Sequence, residues 1–194
     1  MGYEEGKGLG RGEDGIIEPI KIVKSPAQHN VHERKLVFIL SDSMLKGIDA
    51  ERISSTNYEV KRFSHGGCTL KCIYKHLPDI IKEKPDFLIL HIGTNDCTTR
   101  TSDEVKRDIE HLKVHIQKAL PSVKTFISLP TIRTDNRKAN TIIGNLNIKL
   151  LKSNYFLLDN TNIDERHLGR KGLHLNAHGT KQMARNIISL IKRL

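Results

Sequence analysis

Short apolar segments alternate with longer amphipathic segments through most of this chain. Leu36–Leu40 and Phe87–Leu90 are uninterrupted apolar runs, which are typical of strands buried on both faces of a sheet. Residues 102–119 show the opposite pattern, because their apolar residues recur every three or four positions and form one helical stripe. Alternation of these two patterns predicts an α/β fold, with a parallel sheet covered by helices on both faces.

The same patterns predict the order of the elements. The predicted strands are 36–40, 58–63, 87–90, 125–129 and 155–158, and the predicted helices are 69–82, 102–119, 139–152 and 177–194. Ser102 is the predicted N-cap of its helix, because Asp103 and Glu104 follow it in the first turn. In a parallel sheet, reactive residues collect where the strands end.

Length and charge restrict the classes of protein. A chain of 194 residues favours one main domain with a short appendage. No segment approaches the roughly 18 apolar residues of a membrane span, so an integral membrane protein is excluded. The net charge is +10, whereas the first 30 residues carry −1, so the basic surplus belongs to the main domain. This surplus permits anionic partners such as nucleic acid or acidic lipid surfaces.

Cysteine and histidine positions predict neither a disulfide framework nor a metal site. Cys68 and Cys72, four residues apart, are interpreted as buried small hydrophobic residues, and Cys97 is the third cysteine. So few cysteines, in odd number, suit a reducing compartment, which predicts an intracellular protein of the cytoplasm or nucleus. His111 and His115 are expected on a solvated helix face, and no cofactor is expected.

A serine follows the first predicted strand. Ser41-Asp42-Ser43 comes directly after Leu40, which places Ser43 where a nucleophile stands at the edge of such a sheet. A helix beginning there would also offer backbone N–H groups to an oxyanion. The alternative is that these residues only cap the helix.

Three further segments bring polar groups to the same edge. Gly66-Gly67 allows a backbone N–H to approach a ligand closely, Asn95 offers a side-chain amide, and His174 is a candidate general base. A hydroxyl, a backbone donor, an amide and an imidazole are the groups that acyl transfer requires.

With these motifs, residues 35–194 resemble the Ser-Gly-Asn-His hydrolases, the GDSL-type lipases and esterases. The matching segments are Ser41-Asp42-Ser43, with Ser41 in place of the usual glycine, Gly67-Cys68-Thr69, Gly93-Thr94-Asn95-Asp96 and Gly172-Leu173-His174. The resemblance implies a three-layer α/β/α sandwich of the flavodoxin-like type, with about five parallel strands. It also implies Ser43 as nucleophile, His174 as base, and an oxyanion hole formed by the Ser43 and Gly67 N–H groups and the Asn95 amide.

One position departs from the family pattern. The family usually has aspartate three residues before the catalytic histidine, and this chain has Lys171. A carboxylate stabilises a protonated imidazole, whereas an ammonium group destabilises it. The sequence leaves two alternatives: a substitute acceptor for His174, either a backbone carbonyl or Asp164, or a weak or lapsed enzyme.

The N-terminal segment resembles a G-patch, a motif of RNA-processing proteins. Its glycine spacing and the closing Ile17-Glu18-Pro19-Ile20 carry the resemblance, and the helix that usually precedes the motif is absent, which predicts a truncated form. The alternative is a flexible Gly-rich tail.

The predicted boundaries are 1–24 for a largely disordered tail, 25–34 for a linker and 35–194 for the hydrolase-like domain. The residues expected to contact RNA or an RNA helicase are Gly2, Gly6, Gly8, Leu9, Gly10, Gly15 and Ile16.

Two functions are therefore predicted. The first is a serine esterase or acyl hydrolase acting on a small ester or acyl substrate without a metal. The second is a non-catalytic module that binds RNA or an RNA helicase through the tail and the basic surface. Because both kinds of segment occur in proteins of mobile elements, an origin in a retrotransposon is a further hypothesis, by analogy alone. The oligomeric state is not predicted.

Overall fold

The structure, a computed structural model, describes residues 34–194. The chain divides into two units, Met1–His32 and Glu33–Leu194. The predicted tail, with its seven candidate contact residues, and nearly all of the predicted linker lie outside the described residues.

A five-stranded parallel sheet forms the centre of the described part. Its strands are Lys35–Ser41 (β1), Tyr58–Ser64 (β2), Phe87–His91 (β3), Lys124–Ser128 (β4) and Phe156–Leu158 (β5). The helices are Ala50–Ile53 (α1), Leu70–Glu83 (α2), Ser102–Ala119 (α3), Arg137–Leu151 (α4) and Ala177–Ile191 (α5). The strand order is β2-β1-β3-β4-β5, and every neighbouring pair is parallel. The predicted α/β fold is confirmed.

The inner strands β1 and β3 are buried on both faces, as their apolar runs predicted. In β1, Phe38 and Leu40 pack into the core beneath α2, α3 and α4, whereas Val37 and Ile39 pack into the core beneath α1 and α5. All four side chains are at most 8% exposed. Successive side chains of a strand point to opposite faces, so one short run supplies both cores of a three-layer sandwich.

Several helix ends differ from the predictions by one to three residues, for example α4, which is Arg137–Leu151 rather than 139–152. Thr101, and not Ser102, is the N-cap of α3, because its side chain accepts from the Glu104 N–H while Glu104 bonds back to the Thr101 N–H. The last helix ends at Ile191 rather than at Leu194. Within residues 34–194, no helix is long and apolar enough to cross a membrane.

Candidate active site

The first element of the site is the turn that follows β1. Asp42 is buried, and its Oδ1 accepts a hydrogen bond from the Met44 N–H at 2.9 Å, which caps a single 3-10 turn, Ser43–Leu45. The expected longer helix is therefore one short turn, and Ser43 is its first residue. Ser43 is half-buried at the sheet edge.

Ser41, which stands where the family has glycine, is fully buried. Its hydroxyl lies 2.6 Å from the hydroxyl of Ser64 at the end of β2, and the Arg62 guanidinium donates to Ser64 at 2.7 Å. These hydrogen bonds accommodate the larger residue without an unpaired hydroxyl.

The second element is the loop after β2. Gly67 has φ +70°, a conformation that L side chains rarely adopt, and a Cβ there would meet no atom within 4 Å. Glycine is therefore required here by the backbone conformation and not by crowding. The loop is exposed at Gly66 and Gly67 and becomes buried at Cys68.

The third element, after β3, is tied to the second. The Asn95 side chain donates through Nδ2 to the Cys68 carbonyl at 2.9 Å, and the Asp96 carboxylate accepts from the Leu70 N–H at 3.0 Å. These two contacts connect consecutive loops and position the start of α2. Because an amide group has two N–H donors, Asn95 retains one for another partner.

The fourth element carries His174. The Gly169 N–H donates to the His174 carbonyl at 2.7 Å, and the Thr134 N–H donates to the Gly172 carbonyl at 2.7 Å. Gly172 has φ +69°, and a Cβ there would lie 2.2 Å from the Thr134 hydroxyl oxygen. This close approach fixes the loop against the β4–α4 connection and leaves the His174 side chain exposed.

Ser43 and His174 lie on one cavity of about 550 Å³ at the carboxyl edge of the sheet. The cavity is also lined by Met44, Lys46, Gly47, Ser64, Gly66, Leu175 and Thr180. Gly67 and Asn95 are not among the lining residues: Gly67 follows the lining Gly66, and Asn95 is bonded to the Cys68 carbonyl. Within residues 34–194, no hydrogen bond joins Ser43 to His174, although such bonds often tighten only with substrate present.

Asp164, one of the candidate acceptors for His174, is engaged elsewhere. Its carboxylate forms an ion pair with Arg166 at 2.6 Å and lies 2.9 Å from Nδ1 of His167. The reason is local, since Asp164 caps the short turn 165–167 and is held by the residues of that turn. In the part of the chain that the structure describes, the His174 ring has no hydrogen-bond partner, and Lys171 is exposed.

Two buried titratable groups lie beneath the site. Burial raises the pKa of the Asp42 carboxyl to about 7, although the Met44 N–H favours its ionised form. Burial alone lowers the pKa of His91 to about 4, and Nδ1 of this imidazole lies 2.8 Å from the Ser128 hydroxyl. Asp42 therefore changes charge near neutral pH beside Ser43, whereas His91 stays neutral.

Sequence reasoning missed the residues that support the His174 loop. Arg133 is 5% exposed and binds both carboxylate oxygens of Asp135, at 2.7 and 2.6 Å. This bidentate pair stiffens the connection against which Gly172 packs. The signal in the sequence was an arginine and an aspartate two residues apart, shortly after a predicted strand. Thr180 of α5, which lines the cavity, had no such signal.

The two cysteines of the second loop correct another expectation. Cys68 and Cys72 are joined in a disulfide, with their Cα atoms 5.3 Å apart, so they are not the unpaired hydrophobic residues that were expected, although Cys68 is buried. Cys68 lies just before α2 and Cys72 lies in its first turn, so the bend of the chain brings the two sulfur atoms together. Cys97 is a buried free thiol.

Solved structures of esterases and lipases share this fold. The acetyl xylan esterase AlAXEase has 20% identity and a TM-score of 0.66, over 80% of this chain and 99% of its own. A lipolytic protein of the G-D-S-L family from Veillonella parvula has 20% identity and a TM-score of 0.69, over 82% and 100%. The lipase/acylhydrolase from Enterococcus faecalis has 18% identity and a TM-score of 0.64, over 81% and 95%. The expected hydrolase fold is confirmed.

The G-patch domain model matches residues 1–32. This match confirms the resemblance found in the glycine spacing of the N-terminal segment. No curated protein matches the chain. The described residues thus share their fold with GDSL-type hydrolases, and residues 1–32 match the G-patch domain model.

Proposed function

We propose that this protein hydrolyses carboxylic esters or acyl groups, with Ser43 as nucleophile and His174 as general base. The observation that carries the proposal is that these two side chains, 131 positions apart in the chain, line the same cavity at the carboxyl edge of the sheet. The hydrolase fold shared with esterases and lipases supports it.

The reaction begins when the Ser43 hydroxyl oxygen attacks the ester carbonyl carbon and His174 accepts the hydroxyl proton. The tetrahedral intermediate collapses when the imidazolium returns that proton to the leaving alkoxide, which leaves an acyl-enzyme. A water molecule then attacks the acyl carbonyl, again with His174 as base, and the carboxylic acid departs from Ser43.

The oxyanion of the intermediate is stabilised by three N–H donors in this proposal. Two are the backbone N–H groups of Ser43 and Gly67, and the third is the Asn95 amide proton that is not bonded to Cys68. Loss of one such donor costs about 2.7–4 kcal/mol of transition-state stabilisation in other serine hydrolases. The proposal is supported by two contacts between the loops that carry Gly67 and Asn95: the Asn95 amide donates to the Cys68 carbonyl, and the Leu70 N–H donates to the Asp96 carboxylate.

A fluorophosphonate probe tests the nucleophile directly. The full chain is expected to be labelled at one serine, and Ser43→Ala is expected to abolish the labelling, because phosphonylation requires an activated hydroxyl. Intact-mass spectrometry counts the adducts and peptide mapping locates them. Ser122→Ala, which changes an exposed serine outside the cavity, is the matched control and is expected to be labelled like the unmodified chain. Equal labelling of Ser43→Ala, or an unlabelled parent chain, contradicts the proposal.

A second function, RNA binding, is supported by the G-patch match over residues 1–32. The basic surplus of the remaining chain would add electrostatic affinity for phosphates. We expect the full chain to bind single-stranded RNA with an affinity that falls steeply as salt rises. Leu9→Glu is expected to weaken binding at constant salt, measured by fluorescence anisotropy. Leu151→Glu, at an exposed leucine of α4, is the charge-matched control. If both variants weaken RNA binding equally, the effect is due to the added negative charge, and the result contradicts RNA binding by the tail.

A further inference from the structure

Four side chains that bind soft metals cluster beside the second loop of the site. The ligand atoms of His65, Cys68 and Cys72 all lie within 4.8 Å of one another. The ring of His76 lies 5.5 Å, centroid to centroid, from the ring of His65. Cys72 and His76 are four residues apart on α2, so they project from the same face of the helix. Together these residues form a Cys₂His₂ set within twelve positions of the sequence.

The hydrogen bond made by His65 leaves one of its ring nitrogens available to bind a metal. Its Nδ1 lies 3.1 Å from the Gly66 carbonyl oxygen, so Nδ1 carries the proton and donates it. Nε2 then has the free lone pair. Metal-binding histidines commonly donate their other ring N–H to a backbone carbonyl, because this bond fixes the tautomer and the orientation of the ring.

The two cysteines stand where thiolates are favoured. Cys72 lies in the first turn of α2, and Cys68 immediately precedes the Thr69 N-cap. The positive end of the helix dipole stabilises a thiolate there, and Lys71 adds a positive charge between the two cysteines in the sequence. His65 is exposed, which gives an ion a path from solvent.

From this cluster we propose that the reduced Cys68–Cys72 pair, with His65 and His76, binds a zinc ion. A dithiol reductant opens the disulfide, forming two cysteine thiols while the reductant becomes a cyclic disulfide. The two thiols then bind Zn²⁺ as thiolates and release two protons. Tetrahedral zinc places its sulfur ligands about 2.3 Å and its nitrogen ligands about 2.0 Å from the ion. After reduction the two sulfur atoms must therefore move apart, and the His65 nitrogen, which lies within 4.8 Å of them, must move closer.

One contact would connect the zinc site to the candidate active site. The Cys68 carbonyl accepts the Asn95 amide proton, and Gly67 directly precedes Cys68. Disulfide and zinc-bound forms therefore hold the same loop by different bonds. The zinc proposal does not depend on the proposed hydrolase function, because it rests on the ligand cluster alone.

Cobalt titration tests the site without any assay of activity. The full chain is reduced with dithiothreitol, desalted under anaerobic conditions and titrated with Co²⁺. A thiolate-to-cobalt charge-transfer band appears in the absorption spectrum when cysteines bind the ion. We expect one Co²⁺ per chain, displacement of the band by equimolar Zn²⁺, and no band for the oxidised protein. Absence of the band from the reduced chain overturns the proposal.

Matched variants identify the ligands. Cys72→Ser is expected to abolish the band, whereas Cys97→Ser, at the buried free cysteine, is expected to retain it. His76→Ala is expected to weaken Co²⁺ binding at least tenfold, and His115→Ala, at an exposed histidine of α3, is expected to leave it unchanged. A band that persists in Cys72→Ser, or equal effects of the two histidine variants, contradicts the assigned ligand set.

A measurement on the unmodified chain covers the case in which a variant fails to fold. Zn²⁺ is expected to slow iodoacetamide alkylation of both Cys68 and Cys72 in the reduced protein, as quantified by peptide mass spectrometry. Equal alkylation rates with and without Zn²⁺ would refute the site.

Discussion

Lys171→Asp is expected to raise ester hydrolysis by about 10²–10⁴-fold, the range over which a positioned acid–base partner contributes in other enzymes. The structure leaves the His174 ring without a hydrogen-bond partner among residues 34–194, and Asp164 is engaged by Arg166 and His167. A carboxylate three residues before His174 would orient the imidazole and stabilise its protonated form. The rate is measured with a short-chain aryl ester as kcat/KM.

Two controls separate the carboxylate from the change of charge. Lys171→Ala removes the ammonium group without adding an acceptor, and Arg170→Asp makes the same change in net charge at the neighbouring exposed position. Only Lys171→Asp is expected to give the full gain. An unchanged or lower rate in Lys171→Asp, or an equal gain in Arg170→Asp, would show that the absent carboxylate does not limit this site.

The second large effect is a pair of opposing contributions to the pH dependence of stability. Asp42 has its pKa raised from 3.8 to about 7, so the folded protein holds this proton more tightly than the unfolded chain does. Its stabilising contribution is complete below about pH 3.8 and is lost as the pH rises to about 7. Since one pKa unit corresponds to about 1.36 kcal/mol, the full change is about 4 kcal/mol.

His91 acts in the opposite direction. Its pKa is lowered from 6.5 to about 4, so the unfolded chain holds this proton more tightly, and stability is lost as the pH falls from about 6.5 to 4. The full change is about 3 kcal/mol. Between pH 4 and 6.5 the contributions of Asp42 and His91 nearly cancel, so the parent protein is expected to show little net slope from this pair.

Single variants reveal the two contributions. In Asp42→Asn, the free energy of unfolding is expected to rise by about 3 kcal/mol from pH 4 to 6.5, because only His91 still titrates. In His91→Leu it is expected to fall by a similar amount over the same range. Urea unfolding at several pH values measures both slopes, which do not depend on the overall stability of each variant. Asp159→Asn, at an exposed carboxylate, is the control. Parallel slopes in Asp42→Asn and His91→Leu would refute the assignment.

Much of the fold was predictable because buried faces of strands and helices give the sequence a periodic pattern of apolar residues. The apolar run 36–40 predicted β1, and the stripe in 102–119 predicted α3 with the same bounds that the structure shows. Local capping was less predictable, because Thr101 and Ser102 are both good N-caps and only the reciprocal hydrogen bonds between Thr101 and Glu104 distinguish them. The one-turn helix α1 carries too few residues to leave a periodic signal.

The sequence predicted a shared edge for Ser43 and His174, which line one cavity, but not the contacts that support this site. Motifs at the strand ends indicated Ser43, Asn95 and His174, because a parallel sheet brings its carboxyl ends to one edge. Asp164, one of the candidate acceptors for His174, instead binds Arg166 and His167, because it caps the turn that contains them. The Cys68–Cys72 bond was missed, because spacing along the chain does not reveal the bend just before α2.

The sequence by itself determined the order of strands and helices and the edge at which polar residues gather. It also determined that Lys171 stands where the family has aspartate. Each of these features depends on neighbours a few residues apart in the chain. Tertiary structure alone decided which loops touch. Asn95 meets Cys68 across 27 positions, and Thr134 meets Gly172 across 38. Such contacts arise from strand order and from the close approach of backbones, neither of which has a local signature, so the geometry around His174 became visible only in three dimensions.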